Sequence, residues 1–327
     1  MVRSRERAMS GQGPEQRGEL ELVRRLRALL AQPSAGRGVS AGSPAVEFGD
    51  DMAALPTGDG GLLWTVDMLM DHVDFDSAVH DWAAIGRKAM AVNLSDCAAM
   101  AVVPVAALCA VSLSNQLTMQ NAVDLVRGAH EYGLRFGCPI VGGDTNSWNA
   151  PTVVSISIAA RILPDRPPVR RAGARPGDRI WLSGQVGGSL LGRHMTFEPR
   201  VELALQISRD LQPHAMIDVS DGVALDLGRL LEASSCGAVV EAVALDAAIH
   251  ADALRLAQQD GRPAREHALQ DGEDFELIVV LSPDVPPQAC QRLGLLPLGQ
   301  IVAELGLMLD DAGCRAPIPV RGWEHFR

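Results

Sequence analysis

Lysine is almost missing from this sequence. Lys88 is the only one among 29 basic residues, and the others are arginine. A GxxxxGK[ST] phosphate loop therefore has nowhere to sit, and a P-loop NTPase is excluded. Schiff-base chemistry could fall only on Lys88. Aromatic residues are few, with five Trp, six Phe and one Tyr. The six cysteines, Cys97, Cys109, Cys138, Cys236, Cys290 and Cys314, form no CxxC pair. That removes a thiolate zinc site and fits a reduced, cytoplasmic chain. HExxH and DxDxDG are absent too, and with them the zincin and EF-hand classes. The longest apolar run, AVVPVAALCAV, is too short to span a bilayer and contains Pro104. Residues 1–18 are polar and charged with no apolar core. They read as a disordered lead-in, with Met9 an alternative start, and not as a signal peptide. Acidic residues outnumber basic ones, 40 to 29, for a net charge of −11. Nucleic acid and anionic membranes are poor partners for such a surface. A protein of this charge that handles phosphates needs divalent cations in between.

What is present suits a substantial core: 327 residues, 47% hydrophobic, punctuated by 32 glycines and 20 prolines. The length suggests two domains. The spacing of Leu20, Leu22, Val23, Leu26, Leu29 and Leu30 predicts an amphipathic helix over 19–32. Strands are expected at 61–70, 103–113 and 152–163. Helices are expected over 79–101, interrupted near Asn93–Ser95, and over 118–136 with Thr118 as N-cap. CPIVGGD reads as a short strand entering a Gly142–Gly143 turn. The Pro- and Arg-rich stretch 164–178 reads as a domain junction. Beyond it, RIWLSG, MIDV, 275–281, 298–302 and 306–310 read as strands. GGSLLGRHM reads as the opening of a helix, and 199–209 and 222–234 are helical. Strands and helices mix throughout, so the class is α/β or α+β, with one domain over 19–163 and a second over 164–327.

Carboxylates stand inside or against these apolar segments at six places. They are Asp50–Asp51 in FGDDMAAL, Asp67 in WTVDML, Asp96 in NLSDCAAM, Asp144 in IVGGDT, Asp218 and Asp221 in MIDVSDG, and Asp271, Glu273 and Asp274 in DGEDFEL. Each has a bland reading. Gly-Asp is ordinary turn chemistry, and Ser95 and Ser220 would be good N-caps, with the next Asp favoured by the helix dipole. Asp67 and Asp218 resist it, because strands are depleted in Asp and a buried carboxylate needs a partner. One cause covers all six: hard oxygen ligands converging on Mg²⁺ at the ends of elements. Mg²⁺ takes one or two carboxylates with phosphates and waters, so many acids imply several ions and a polyphosphate. A glycosidase-type acid pair is compatible with the residue types, but it leaves the glycine pairs unexplained. Gly142–Gly143 and Gly187–Gly188 either present backbone N–H groups to phosphate or close tight turns.

Taken in order, FGDDMAAL, TVDMLMDHVDF, RKAMAVNLSDCAAM, IVGGDT, RRAGARPGD, MIDVSDG, DGEDFEL and GWEHF closely resemble the thiamine-monophosphate kinase family. That family lies within the superfamily of aminoimidazole ribonucleotide synthetase and selenophosphate synthetase. The resemblance implies a two-domain, synthetase-like fold. Its N-terminal domain carries a mixed sheet, binds metal and ATP, and forms a homodimer through its strands; the C-terminal domain is α/β. The implied reaction is direct, in-line, Mg²⁺-assisted transfer of the γ-phosphoryl of ATP to thiamine monophosphate. It yields thiamine diphosphate, as the last step of that cofactor's biosynthesis. By the same resemblance, Asp51, Thr65, Asp67, Asp96, Asp144, Asp218 and Asp221 ligate Mg²⁺. Gly143, Asp144, Arg171 and Ser220 contact ATP, and Asp74, Glu273 and Trp323 face the thiamine end. Asp50 is a further ligand or supports Asp51. No catalytic base is expected, because the nucleophile is already a phosphate oxygen. Trp323 either stacks on the substrate rings or anchors the C-terminus in the core. Lys88 reads as a surface helix lysine, and His325 as structural.

The chain departs from the family at four points. Asp74 stands where the family has His, and His72 lies two places earlier. In an extended segment the two would share a side, so His72 would substitute. The family's Arg near Ser147 is missing, DGED gains the charge of Asp271, and Gly187-Gly188-Ser189 replaces Gly-Asp-Ser. Two other readings stand beside the first. One is another ATP-dependent enzyme of the superfamily, acting on a different small phosphate or amide. The other is a nucleotide-binding homologue without catalysis.

Overall fold

The first sheet runs in the order β1-β2-β5-β3-β4, formed by Ala53–Leu55 (β1), Leu62–Met70 (β2), Val103–Ser114 (β3), Ile140–Trp148 (β4) and Val153–Arg161 (β5). In this computed structural model, residues 50–55 and 61–323 are described; the expected helix over 19–32, the segment 1–18 and His325 lie outside them. β5 pairs antiparallel with β2 and β3, and β3 pairs parallel with β4, so the sheet is mixed. The period-2 pattern decides which face is covered. Leu63, Thr65 and Leu69 are buried, while Val66, Met68 and Met70 are exposed.

Two helices cover the inner face. The first, α1 (Trp82–Ala99), is capped by Asp81, whose side chain accepts from Ala84 N. The second, α2 (Met119–Leu134), is capped by Thr118 as expected. They pack backbone against backbone. A Cβ at Gly86 would sit 1.9 Å from the Leu125 carbonyl oxygen, and one at Gly128 would sit 2.1 Å from that of Ala83. The break expected near Asn93 does not occur. Asn93 Nδ2 donates to Ala89 O at 3.0 Å, so the amide is satisfied within the helix. Gly142–Gly143 is not a turn either: β4 runs straight through it, and a Cβ at Gly143 would meet the Cys109 carbonyl oxygen at 1.8 Å.

The second sheet runs β12-β11-β8-β10-β6-β9-β7. Its strands are Arg179–Leu182 (β6), Ala215–Asp218 (β7), Gly237–Glu241 (β8), Leu277–Leu281 (β9), Leu296–Val302 (β10), Gly306–Asp311 (β11) and Cys314–Pro317 (β12). Helices Val201–Asp210 (α3) and Val223–Ser234 (α4) flank β7 in the chain. Short helices Ala242–Ala248 (α5), Ala251–Asp260 (α6), Ala264–Gln270 (α7) and Pro287–Arg292 (α8) follow. GGSLLGRHM gives only two single 3₁₀ turns. Neighbouring residues on these strands face opposite ways. Trp181, Met216 and Leu277 join the core beneath the first sheet, whereas Ile180, Ile217 and Ile278 belong to a second core on the other side. Helix α1 touches β2 and β5 of one sheet and β7 of the other. It is buried nearly all round, including Lys88, Asn93 and Ser95. Among the described residues, no helix is long and apolar enough to cross a membrane.

Candidate active site

The two sheets bring their acidic strand ends together around α1. Asp51, Asp96 and Asp218 come from the segment before β1, from α1 and from β7, yet a carboxylate oxygen of each lies within 4.8 Å of the others. Thr65 on β2 donates its hydroxyl to Asp96 Oδ2. Ser95 Oγ donates to Asp218 Oδ2 at 2.5 Å. Ser95 and Asp96 therefore sit mid-helix, and the N-cap reading of that pair fails. It fails for Ser220 as well: Gly222 caps α4, with no side-chain cap bond.

Such crowding has an electrostatic signature. Asp218 is 4% exposed, and burial, then the charge of Asp51, push its carboxyl well above the ordinary range. Burial and the neighbouring Asp67, Asp218 and Asp51 do the same to Asp96. Asp67 rises to about 6, first through burial and then through Asp221, Asp51 and Asp74; its backbone N–H donates to Asn93 Oδ1 at 3.0 Å. Arg171 opposes this repulsion. Its guanidinium holds both oxygens of Asp51, and its backbone N–H donates to Asp50 Oδ1 at 2.8 Å. Buried oxygens sharing one small space beside the Arg171 guanidinium fit a hard divalent cation.

A second acidic layer adjoins the first. β7 and β9 pair antiparallel, and the pairing continues past their ends: Glu273 N donates to Ser220 O and Phe275 N to Val219 O. MIDVSDG and DGEDFEL are therefore one structural feature. Asp221 is paired with Arg229, which also holds Asp226. Trp323 donates its backbone N–H to Asp221 O at 3.0 Å and is 50% exposed, so it is no core anchor. Glu273 receives both its hydrogen bonds from Lys88, at 2.7 and 3.0 Å. Lys88, expected on the surface, is 0% exposed. Its helix has no polar face for it to occupy.

Other expected residues lie elsewhere. Residues 71–75 form a turn closed by a bridge between Asp71 and Phe75, not an extended strand. Asp74 caps it by accepting from Met70 N at 2.7 Å. His72 adopts φ 69 and is largely exposed beside Asp71 and Asp76, so it does not stand in for a histidine at 74. Gly143 and Asp144 lie on the exposed edge strand β4. The register runs Asp67, Ile156, Cys109, Gly143, which puts Gly143 roughly 14 Å from Asp67, three strand spacings away. Asp144 pairs with Ala110, an exposed position of β3. The amides of Gly187 and Gly188 are committed to Asp274 and Asp271, so that pair is a tight turn and no phosphate cradle. The extra charge of Asp271 is absorbed locally by His267 at 2.8 Å and Arg262 at 3.4 Å.

Residues 49–162 match the family described as AIR synthase related protein, N-terminal domain. A thiamine-monophosphate kinase of Rhodopirellula baltica is 41% identical over 248 residues, covering 73% of this chain and 77% of that protein. This chain belongs to the thiamine-monophosphate kinase family. Another member, from Synechococcus elongatus, is 31% identical over 315 residues, covering 86% of this chain and 92% of its own. The solved structure described as AaThiL complexed with AMPPCP and TMP matches 98% of this chain and 100% of that one. Its TM-score of 0.81, at 23% identity, shows that the two-sheet fold is shared.

Reading the sequence for embedded acids missed Asp226, Arg229 and Lys88. Asp226 is 1% exposed on α4, and burial and Asp221 push its carboxyl to about 7. An acid inside VALDLG was the available signal, since it interrupts an apolar helix face.

Proposed function

We propose that this chain transfers the γ-phosphoryl of ATP to thiamine monophosphate, giving thiamine diphosphate and ADP. Membership of the family supports the reaction, and the observation that carries it is the convergence of Asp51, Asp96 and Asp218. Donor and acceptor are both anions, and the nucleophile is a phosphate oxygen that needs no proton removed. The barrier is therefore repulsion and in-line placement, not acid–base work. Bound Mg²⁺ would neutralise charge between the two phosphates. Asp51, Thr65, Asp67, Asp96, Asp218 and Asp221 would hold it, with Asp50 supporting from behind Asp51. In the same proposal Arg171 and Ser220 meet the nucleotide, and Gly143 and Asp144 meet it along the β4 edge. Asp74, Glu273 and Trp323 border the thiamine end, and the boundary between nucleotide-binding and C-terminal domains falls at 164–178.

The deciding assay supplies ATP, Mg²⁺ and thiamine monophosphate, with thiamine and a substrate-free control alongside. Thiamine diphosphate is expected from the monophosphate alone. ADP release without thiamine diphosphate would overturn the substrate and leave another phosphate acceptor.

The proposal includes a homodimer through the outer face of the first sheet. Val66, Met68, Val105, Leu108 and Val141 form an exposed apolar surface there, of the kind that marks an association site. Size-exclusion chromatography with light scattering should give twice the chain mass, and Met68→Glu should give monomers. A monomeric wild-type protein would sink the dimer.

A further inference from the structure

We propose that Lys88 is a positioning residue for the substrate pocket, holding Glu273 and the turn at Asp74 in one fixed arrangement. This rests on the reading that the pocket takes thiamine monophosphate. An ammonium has three protons, and three acceptors surround this one. They are the two carboxylate oxygens of Glu273, at 2.7 and 3.0 Å, and the carbonyl oxygen of Asp74, at 2.5 Å. With the side chain wholly buried, no proton is left over for a ligand. Lys88 therefore acts through Glu273 and does not itself touch substrate.

Glu273 is suited to be acted through. Its backbone is fixed by the bond from its N–H to Ser220 O, at 2.7 Å, and by a left-handed φ of 53 that a non-glycine residue adopts only under constraint. Both its oxygens lie on the lysine, yet the side chain is 23% exposed, so part of it remains reachable. The residues tied together come from three places: the turn after β2, helix α1 and the loop before β9. Two of the three, Asp74 and Glu273, are proposed to border the thiamine end. Stability alone does not call for an ion pair here. A methionine at 88 facing an uncharged residue at 273 would fill the space without desolvating an ammonium and a carboxylate.

The experiment is a steady-state double-mutant cycle on the full chain, using Lys88→Met, Glu273→Ala and the pair together. Lys88→Met should raise KM for thiamine monophosphate about 10- to 100-fold, the equivalent of a lost charge-assisted hydrogen bond. KM for ATP and kcat should stay near wild type. If Lys88 works through Glu273, the double variant shows a rise no greater than that of Glu273→Ala alone, not the product of the two. Glu273→Asp covers the case in which Lys88→Met does not fold: it keeps the charge but draws it back from the ammonium, and should give the same selective rise in KM. Rises that multiply would overturn the proposal. So would a lowered melting temperature with KM unchanged, or Glu273→Asp behaving as wild type. A wild-type protein inactive on thiamine monophosphate overturns the substrate reading, and the pocket role of Lys88 with it. An active wild type with an unaltered Lys88→Met variant overturns the positioning role alone.

Discussion

Asp218→Asn is expected to move stability and activity in opposite directions. In the metal-free protein it should raise the melting temperature, because it removes a carboxyl that the fold must either keep protonated or ionise against burial and the charge of Asp51. The Ser95 hydroxyl, now donating to Asp218, keeps an acceptor in the Asn carbonyl, so no polar group is orphaned. Turnover should fall by about 10²- to 10³-fold, the usual effect of losing one preorganised group that stabilises transferring charge. Mg²⁺ should also stop raising the melting temperature. The measurements are a melting curve with and without Mg²⁺ and a single-turnover assay. A variant that melts lower and still turns over would mean Asp218 braces the fold and binds nothing. The same substitution at an acid with a protein partner, such as Asp221 on Arg229, lacks this double signature, since it breaks a pair as well.

The metal-free protein should melt higher at about pH 6 than at about pH 8, and Mg²⁺ should flatten the difference. Asp67 titrates at about 6, and Asp226 and Asp274 at about 7, all above the ordinary 3.8. Asp96 and Asp218 are shifted further the same way. Folding tightens each proton, so the native state holds more protons than the unfolded chain across this window. Stability is therefore fullest below the unfolded values and is lost as pH rises through the folded ones. Two imidazoles work the other way below their ordinary 6.5: His194, lowered to about 4, and His250, also lowered, both chiefly by burial. Between pH 6 and 8 they contribute little, so the carboxyls set the sign. Mg²⁺ binds ionised carboxylates, and should stabilise most where the metal-free protein is weakest. A melting temperature that climbs from pH 6 to pH 8 without metal would contradict the crowding of these groups.

Much of this was legible beforehand. Period-2 alternation found β5, apolar strand-like runs found β2 and β3, and the Thr118 cap found the start of α2, because those signals are local and strong. The embedded acids pointed to Asp51, Asp96 and Asp218 because carboxylates are out of place in apolar segments. What stayed hidden was set by long-range partners. Asn93 looks like a helix breaker until its amide is seen to bond inside the helix. Lys88 looks solvated until Glu273, from the other half of the chain, arrives beside it. Gly187 and Gly188 look ready for phosphate until Asp274 and Asp271 take their amides. The turn at 71–75 was misread because Asp74 replaces a ring with a short acceptor that reaches back to Met70.

The burial of α1 on all sides has a consequence in time. Ser95 and Asp218 lie 123 positions apart, and Lys88 and Glu273 lie 185 apart. At 5–20 residues per second, a ribosome needs roughly 10–40 s to supply the later partner. Throughout that interval α1 has emerged with apolar residues around most of its circumference, and its ammonium has the Asp74 carbonyl but no carboxylate to hold. The nascent N-terminal half is therefore a client for whatever shields sticky chains in the cell. Cutting the gene at the junction between the sheets should yield aggregates, not a free-standing ATP-binding module.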